Sequence, residues 1–115
     1  MLKVVVMRVG DTTSVTLVGH ACAGEYGSDI VCASASMLAY TLAEAVNKRV
    51  ELGMFACIPT VDITPGDTQI IFKAHKDHAD ELGTIVDVIA DGYRMLAASY
   101  PDNVEFIYDA TPERV

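Results

Sequence analysis

The stretch Leu2-Lys3-Val4-Val5-Val6-Met7-Arg8-Val9-Gly10-Asp11-Thr12-Thr13-Ser14-Val15-Thr16-Leu17-Val18 decides how the fold begins. Leu2 to Val9 and Ser14 to Val18 are dominated by Val and other strand formers, and Gly10-Asp11-Thr12 between them is turn chemistry. A β-hairpin follows. Gly19-His20-Ala21 ends its second strand, and Cys22 to Ser28 contain two glycines and no period, which reads as a mobile loop. Asp29 is a good helix N-cap, because its carboxylate can accept N–H bonds from the first turn. Beyond it Val31, Ala35, Leu38, Leu42 and Val46 recur at helical spacing, predicting a helix to about Lys48 or Arg49.

Met54 to Ile63 reads as extended, with Pro59 arguing for an edge or a bulge. Thr64-Pro65-Gly66-Asp67 is a strong turn signal, and Thr68 to Ala74 is the next strand. A second helix starts near Asp77 with Leu82, Ile85, Val86, Ile89, Tyr93, Leu96 and Ala97 on one face. Gly83 and Gly92 weaken it by roughly 1 kcal/mol each, so packing must support it. Pro101 stops it, and Val104 to Tyr108 form a last strand. The order ββαββαβ predicts an α+β fold: a two-layer α/β sandwich with a mainly antiparallel sheet and two helices. Its 115 residues fit a single domain, 1–115.

Hydrophobic residues make up 51% of the chain, enough for a packed core. Unbroken apolar runs are short and the first residues lack a small-residue cleavage pattern. The expectation is therefore no signal peptide, no membrane span and a cytoplasmic location. A net charge of −8, from 16 acidic and 8 basic residues, disfavours direct nucleic-acid binding, which needs Lys and Arg to displace counterions. It suits a basic partner such as a ribosomal protein or a cationic peptide, though acidity also serves plain solubility. Cys22, Cys32 and Cys57 are expected to be reduced.

The chemistry concentrates in Gly19-His20-Ala21-Cys22-Ala23-Gly24-Glu25-Tyr26-Gly27-Ser28-Asp29-Ile30-Val31-Cys32-Ala33. With Asp29 as cap, Cys32 falls in the first helical turn, where free N–H groups and the macrodipole favour a thiolate nucleophile. It lies about 100° round the helix from the core stripe, with Ser36 on its face one turn later. His20, at the strand end before the loop, is the natural general base. Backbone N–H groups around Cys32 are positioned to hold an oxyanion. The plainer readings are that Cys32 packs as a small apolar residue and that His20 is hydrogen-bonded surface filler.

Gly19-His20-Ala21, Gly27, Asp29-Ile30-Val31-Cys32-Ala33 and Ser36 together resemble the signature of the ribosomal-processing cysteine protease family, Prp. The resemblance extends in layout over nearly the whole chain. It implies a homodimeric enzyme with a Cys–His dyad, no metal and no cofactor. Such an enzyme removes the N-terminal extension of a large-subunit ribosomal protein, cutting after an aromatic residue. Position by position, it makes His20 the base and Cys32 the nucleophile, with Asp29 and Ser36 at recurrent flanking positions. Asp29 is either a helix cap or the group that orients His20. Ser36 bonds either in the site or back to its own helix. Gly19 and Gly27 supply backbone freedom at the two ends of the loop. Cys22 departs from the family pattern; it is either an inert thiol or a partner for an oxidative Cys22–Cys32 disulfide.

Other readings stand beside this one. His20, Cys22, Cys32 and Cys57 are four soft ligands, but no C-x-x-C pair supports a zinc site. His75 and His78 sit at a strand-to-helix junction and read as solvated turn residues. Tyr26, Met37 and Tyr40 suit either an aromatic-accepting pocket or core and dimer contacts. A non-enzymatic acidic adaptor that binds a basic ribosomal protein is the alternative from another class, and Cys32 separates the two.

Overall fold

The structure is a computed structural model that describes residues 1–25 and 29–111. Its elements follow the expected order: β1 (Leu2–Val9), β2 (Thr12–Val18), α1 (Ile30–Asn47), β3 (Thr60–Thr64), β4 (Asp67–Lys73), α2 (Ala79–Ser99) and β5 (Val104–Thr111). The strands form one sheet in the order β3-β4-β2-β1-β5, antiparallel except that β5 runs parallel to β1. β2 and β3 both oppose β4, so α1 links strands of one direction, and α2 does the same between β4 and β5. Crossovers of this kind need a helix to span the sheet.

Alternation along the strands sends Val4, Val6, Val15, Leu17, Ile70 and Phe72 to the face beneath the helices. α1 lays Val31, Ala35, Ala39, Leu42, Ala43 and Val46 on that face, a wider stripe than the one expected, with Leu38 only half-buried. α2 adds Leu82, Val86, Ile89 and Tyr93. Each fully buried aliphatic or aromatic side chain is worth about 1.5–3 kcal/mol of transfer free energy, so this layer holds the sandwich together. The small residues Ala35, Ala39 and Ala43 let α1 lie close to the sheet.

The departures from expectation have local causes. Of the extended stretch expected over 54–63, only Thr60–Thr64 is a strand, at the sheet edge as Pro59 suggests. Phe55 makes a single bridge to Ala74, and Met54 supplies one carbonyl to His75 N–H at 2.9 Å. α2 begins at Ala79, after a 3₁₀ turn over Lys76–His78 in which His75 Nδ1 accepts from Asp77 N–H at 3.2 Å. β5 continues past Tyr108 to Thr111 because β1 offers a parallel partner through Val9.

By length and composition, Ile30–Val50 is apolar enough to cross a membrane, with mean hydropathy 1.3, which a search for unbroken apolar runs passes over. In the fold this stretch contains α1, whose apolar stripe covers the sheet.

Candidate active site

The chain leaves β2 at Gly19, whose φ is +92° and where a Cβ would lie 2.5 Å from the Met1 carbonyl oxygen. Only a glycine fits both demands. Gly19 N–H donates to the Gly66 carbonyl at 3.0 Å, tying the exit of β2 to the β3–β4 turn. His20 follows, exposed, and then Ala21 returns to the interior at 1% exposure. Asn103 Nδ2 donates to the Ala21 carbonyl at 3.0 Å. Ala21 N–H donates to Cys32 Sγ at 3.2 Å, so the sulfur has a backbone donor aimed at it from the preceding loop.

Asp29 is the N-cap of α1, its Oδ1 accepting from Val31 N–H at 2.9 Å and Cys32 N–H at 3.0 Å. Its other oxygen, Oδ2, accepts from Ala23 N–H at 2.8 Å. One carboxylate thus joins the loop to the helix start, and among the described residues none of its hydrogen bonds goes to His20. The Cys32 N–H, helped by the Ala23 and Val31 N–H groups and the Cys32 side chain, holds the Asp29 carboxyl below the ordinary carboxylate range, although partial burial opposes this. Of its two expected roles, Asp29 fills that of the cap and adds a loop tether.

The expected oxyanion donors around Cys32 are already engaged. Val31 and Cys32 N–H go to the Asp29 side chain, and Ala33 N–H bonds the Asp29 carbonyl at 3.0 Å. A good N-cap consumes the very donors that a bare helix start would offer.

Cys32 is half-buried and faces a hollow on each side. One, of about 240 Å³, lies between α1 and the β3–β4 turn and is lined by Tyr40, Ile63, Thr64, Pro65 and Gly66 over a floor of Leu2, Leu17 and Ala35. The other, of about 420 Å³, lies under the loop and is lined by Cys22, Gly24, Asp29 and Ala33. His20, Cys32 and Ser36 line both. An extended peptide laid across the sulfur would have room on either side of its scissile bond, and among the described residues no Lys or Arg lines either hollow.

Ser36 is exposed, and among the described residues it makes no bond to its own helix; Ser34 does, donating from Oγ to the Ile30 carbonyl at 2.7 Å. Gly27 and Tyr26 lie outside the described residues, as does the part of the expected loop at Ser28. Cys22 is exposed with φ +55°, and Cys22, Cys32 and Cys57 are all free thiols. Among the described residues, no three His, Cys, Asp or Glu side chains gather as a metal-ligand set. His75 and His78 are turn residues, with rings 6.2 Å apart. Met37 is exposed, whereas Tyr40, also exposed, lines the first hollow.

Two contributors escaped the sequence reading. Gly66 was legible as a turn residue but not as a neighbour of His20, and Asn103, between Pro101 and the last strand, was not singled out at all. Neither contact has a local signal, since each joins segments far apart in the chain.

The family model described as cysteine protease Prp matches residues 1–105. The ribosomal processing cysteine protease Prp of Staphylococcus aureus is 26% identical over 99 residues, which cover 86% of this chain and 89% of that protein. Among solved structures, the essential ribosomal processing protease Prp from S. aureus with a covalently linked product peptide matches with TM-score 0.68 and 26% identity, covering 94% of this chain and 99% of that one. The S. aureus protease with a substrate peptide matches with TM-score 0.63 and 25% identity, at the same coverage of 94% and 99%. A Streptococcus mutans protein matches with TM-score 0.66 and 26% identity over 96% of each chain.

Proposed function

The chain belongs to the family of the cysteine protease Prp and is a cysteine peptidase, and from that premise we propose that it removes the N-terminal extension of a large-subunit ribosomal protein, with Cys32 as nucleophile and His20 as base. The observation that carries the assignment is that His20 and Cys32 line the same two hollows, with a donor from Ala21 already on the sulfur. Between them the two residues supply acyl transfer without a further group.

His20 takes the Cys32 proton as Sγ attacks the scissile carbonyl carbon. The tetrahedral adduct collapses when the imidazolium returns that proton to the leaving amine, and the new N-terminus departs. A thioester to Cys32 remains. Water attacks it while His20 accepts the water's proton, the C–S bond breaks, and the sulfur recovers its proton. Closing contact between the His20 ring and Cys32 is a step that substrate binding completes, since catalytic hydrogen bonds often tighten only in the complex. Asp29 acts by holding Ala23 and the helix start together around the sulfur.

The −8 net charge favours a basic ribosomal partner, and a ribosomal-protein substrate implies a cytoplasmic site of action. A homodimer is the assembly proposed, and the open apolar groove between the helices, where Met37 and Met95 are 65% and 71% exposed, supports it. The test is cleavage of a peptide spanning a candidate extension by wild type, Cys32→Ala and His20→Ala. Wild type should cut, and both variants should fail. Binding without cutting by all three would support the adaptor reading for this peptide and sink the proposal.

A further inference from the structure

We propose that Gly66, in the β3–β4 turn, is a positioning residue for His20, and that its missing side chain is what lets the imidazole stand on the wall of the hollows that Cys32 lines. The inference rests on His20 being the base. A Cβ built on Gly66 would lie 2.8 Å from His20 Nε2, 3.3 Å from Cε1 and 3.7 Å from Cδ2. Those three atoms are the outer edge of the ring, so the imidazole rests edge-on against the Gly66 backbone. The Gly66 carbonyl also accepts from Gly19 N–H at 3.0 Å, holding the residue just before His20. The turn therefore holds this corner twice, once through the Gly19 backbone and once against the His20 ring.

Turn geometry alone does not account for this. Pro65 followed by a glycine at φ +78° is what a type II turn demands, and that requirement concerns only the backbone. Gly53 shows the same requirement in isolation, with φ +70° and nothing within 4 Å of a would-be Cβ. Gly66 carries a second constraint because the ring occupies the space where its side chain would be. A residue with a Cβ there must push the imidazole away from its place on the wall of both hollows.

The experiment compares Gly66→Ala with Gly53→Ala, which strain the backbone alike but differ in what the new methyl meets. Gly66→Asn is added because asparagine tolerates positive φ, so it presses on the ring with less backbone strain. The readouts are kcat on the candidate-extension peptide, the pH profile of kcat/KM, and the His20 ring cross-peak in the NMR spectrum of the free protein. Both Gly66 variants should lose roughly tenfold to a hundredfold in kcat, alter the pH profile and move the His20 cross-peak. Gly53→Ala should keep the wild-type values of all three below its melting temperature. An unmoved cross-peak with unchanged kcat in a folded Gly66 variant would overturn the proposal, as would a Gly53→Ala that behaves like Gly66→Ala. If wild type itself cuts no peptide, the functional reading fails. The cross-peak comparison alone then decides whether Gly66 sets the ring.

Discussion

Replacing Tyr93 by Phe should cost stability at neutral pH and cost nothing near pH 11. Tyr93 is fully buried, and its hydroxyl donates to the Ala35 carbonyl at 2.9 Å, fastening α2 to α1 one turn beyond Cys32. Phenylalanine keeps the ring and loses this bond. Ala35, in mid-helix, retains its intrahelical donor, so no acceptor is stranded and the loss is about 1 kcal/mol. For a chain of this length that is about 4 °C in Tm. Burial also pushes the Tyr93 phenol well above its ordinary value of 10.0. A raised value in the folded state means that the stability is fully present below the unfolded value and is lost as pH climbs above it. By about pH 10.7 the wild type should have lost ~1 kcal/mol through Tyr93 alone, and by pH 11 about 1.4 kcal/mol. Phenylalanine has no proton to lose, so the two stability curves should cross near that pH. Urea unfolding of both proteins from pH 7 to pH 11 measures the gap. A gap constant over the whole range would refute the reasoning, because Tyr93 would then ionise as readily folded as unfolded.

Cys32→Ala should reduce cleavage by at least about a thousandfold in kcat while the protein stays folded, read by chromatography of the peptide products beside a circular dichroism melt. Asp29→Asn replaces the Oδ2 acceptor by an NH₂ donor facing Ala23 N–H, so it should lower Tm at neutral pH. Because the Asp29 value is lowered in the fold, its stabilisation is present above about pH 3.9 and is lost as pH falls further. The Tm difference between wild type and Asp29→Asn should therefore shrink steadily below that pH; a difference that grows on acidification would contradict the tether. With twice as many acidic as basic residues and no Lys or Arg lining either hollow among the described residues, KM for a Lys/Arg-rich peptide should rise with added salt, and kcat should hardly move. A salt-independent KM would remove charge attraction from the account of partner choice.

What the sequence made legible was local. The Gly10-Asp11 turn, the Asp29 cap and the 3.6-residue spacing of Val31, Ala35, Leu42 and Val46 each act within a few residues, and the structure carries all of them. The placement of Cys32 in the first turn follows directly from that cap. Other features depend on pairings between distant segments. The parallel seat of β5 beside β1 and the reach of Asp29 to Ala23 leave no periodic mark on the sequence. The oxyanion expectation met a competitor that the sequence also carried. Asp29 is so good a cap that it takes the N–H groups at Val31 and Cys32 for itself. The contact between Gly66 and His20 was illegible because a Pro-Gly turn announces its backbone shape and says nothing of what rests on it.

That contact is nevertheless a consequence of the core. β2 and β4 pair with Val18 opposite Asp67, which brings the Thr64–Asp67 turn level with the point where the chain leaves β2. The register is held by Val15 and Leu17 on one strand and Ile70 and Phe72 on the other, all buried under the helices. A slip of one residue would turn these side chains to solvent. A slip of two would keep them buried but carry Gly66 about 7 Å along the strand, away from His20. The same apolar alternation that packs the sheet therefore sets the His20 ring against Gly66. The Asp29 cap sets the start of α1, and with it the place of Cys32 on the wall of the hollows that His20 also lines. The geometry of the proposed dyad is inherited from strand register on one side and from a single N-cap on the other. Mutations that shift the register should abolish activity before they unfold the domain.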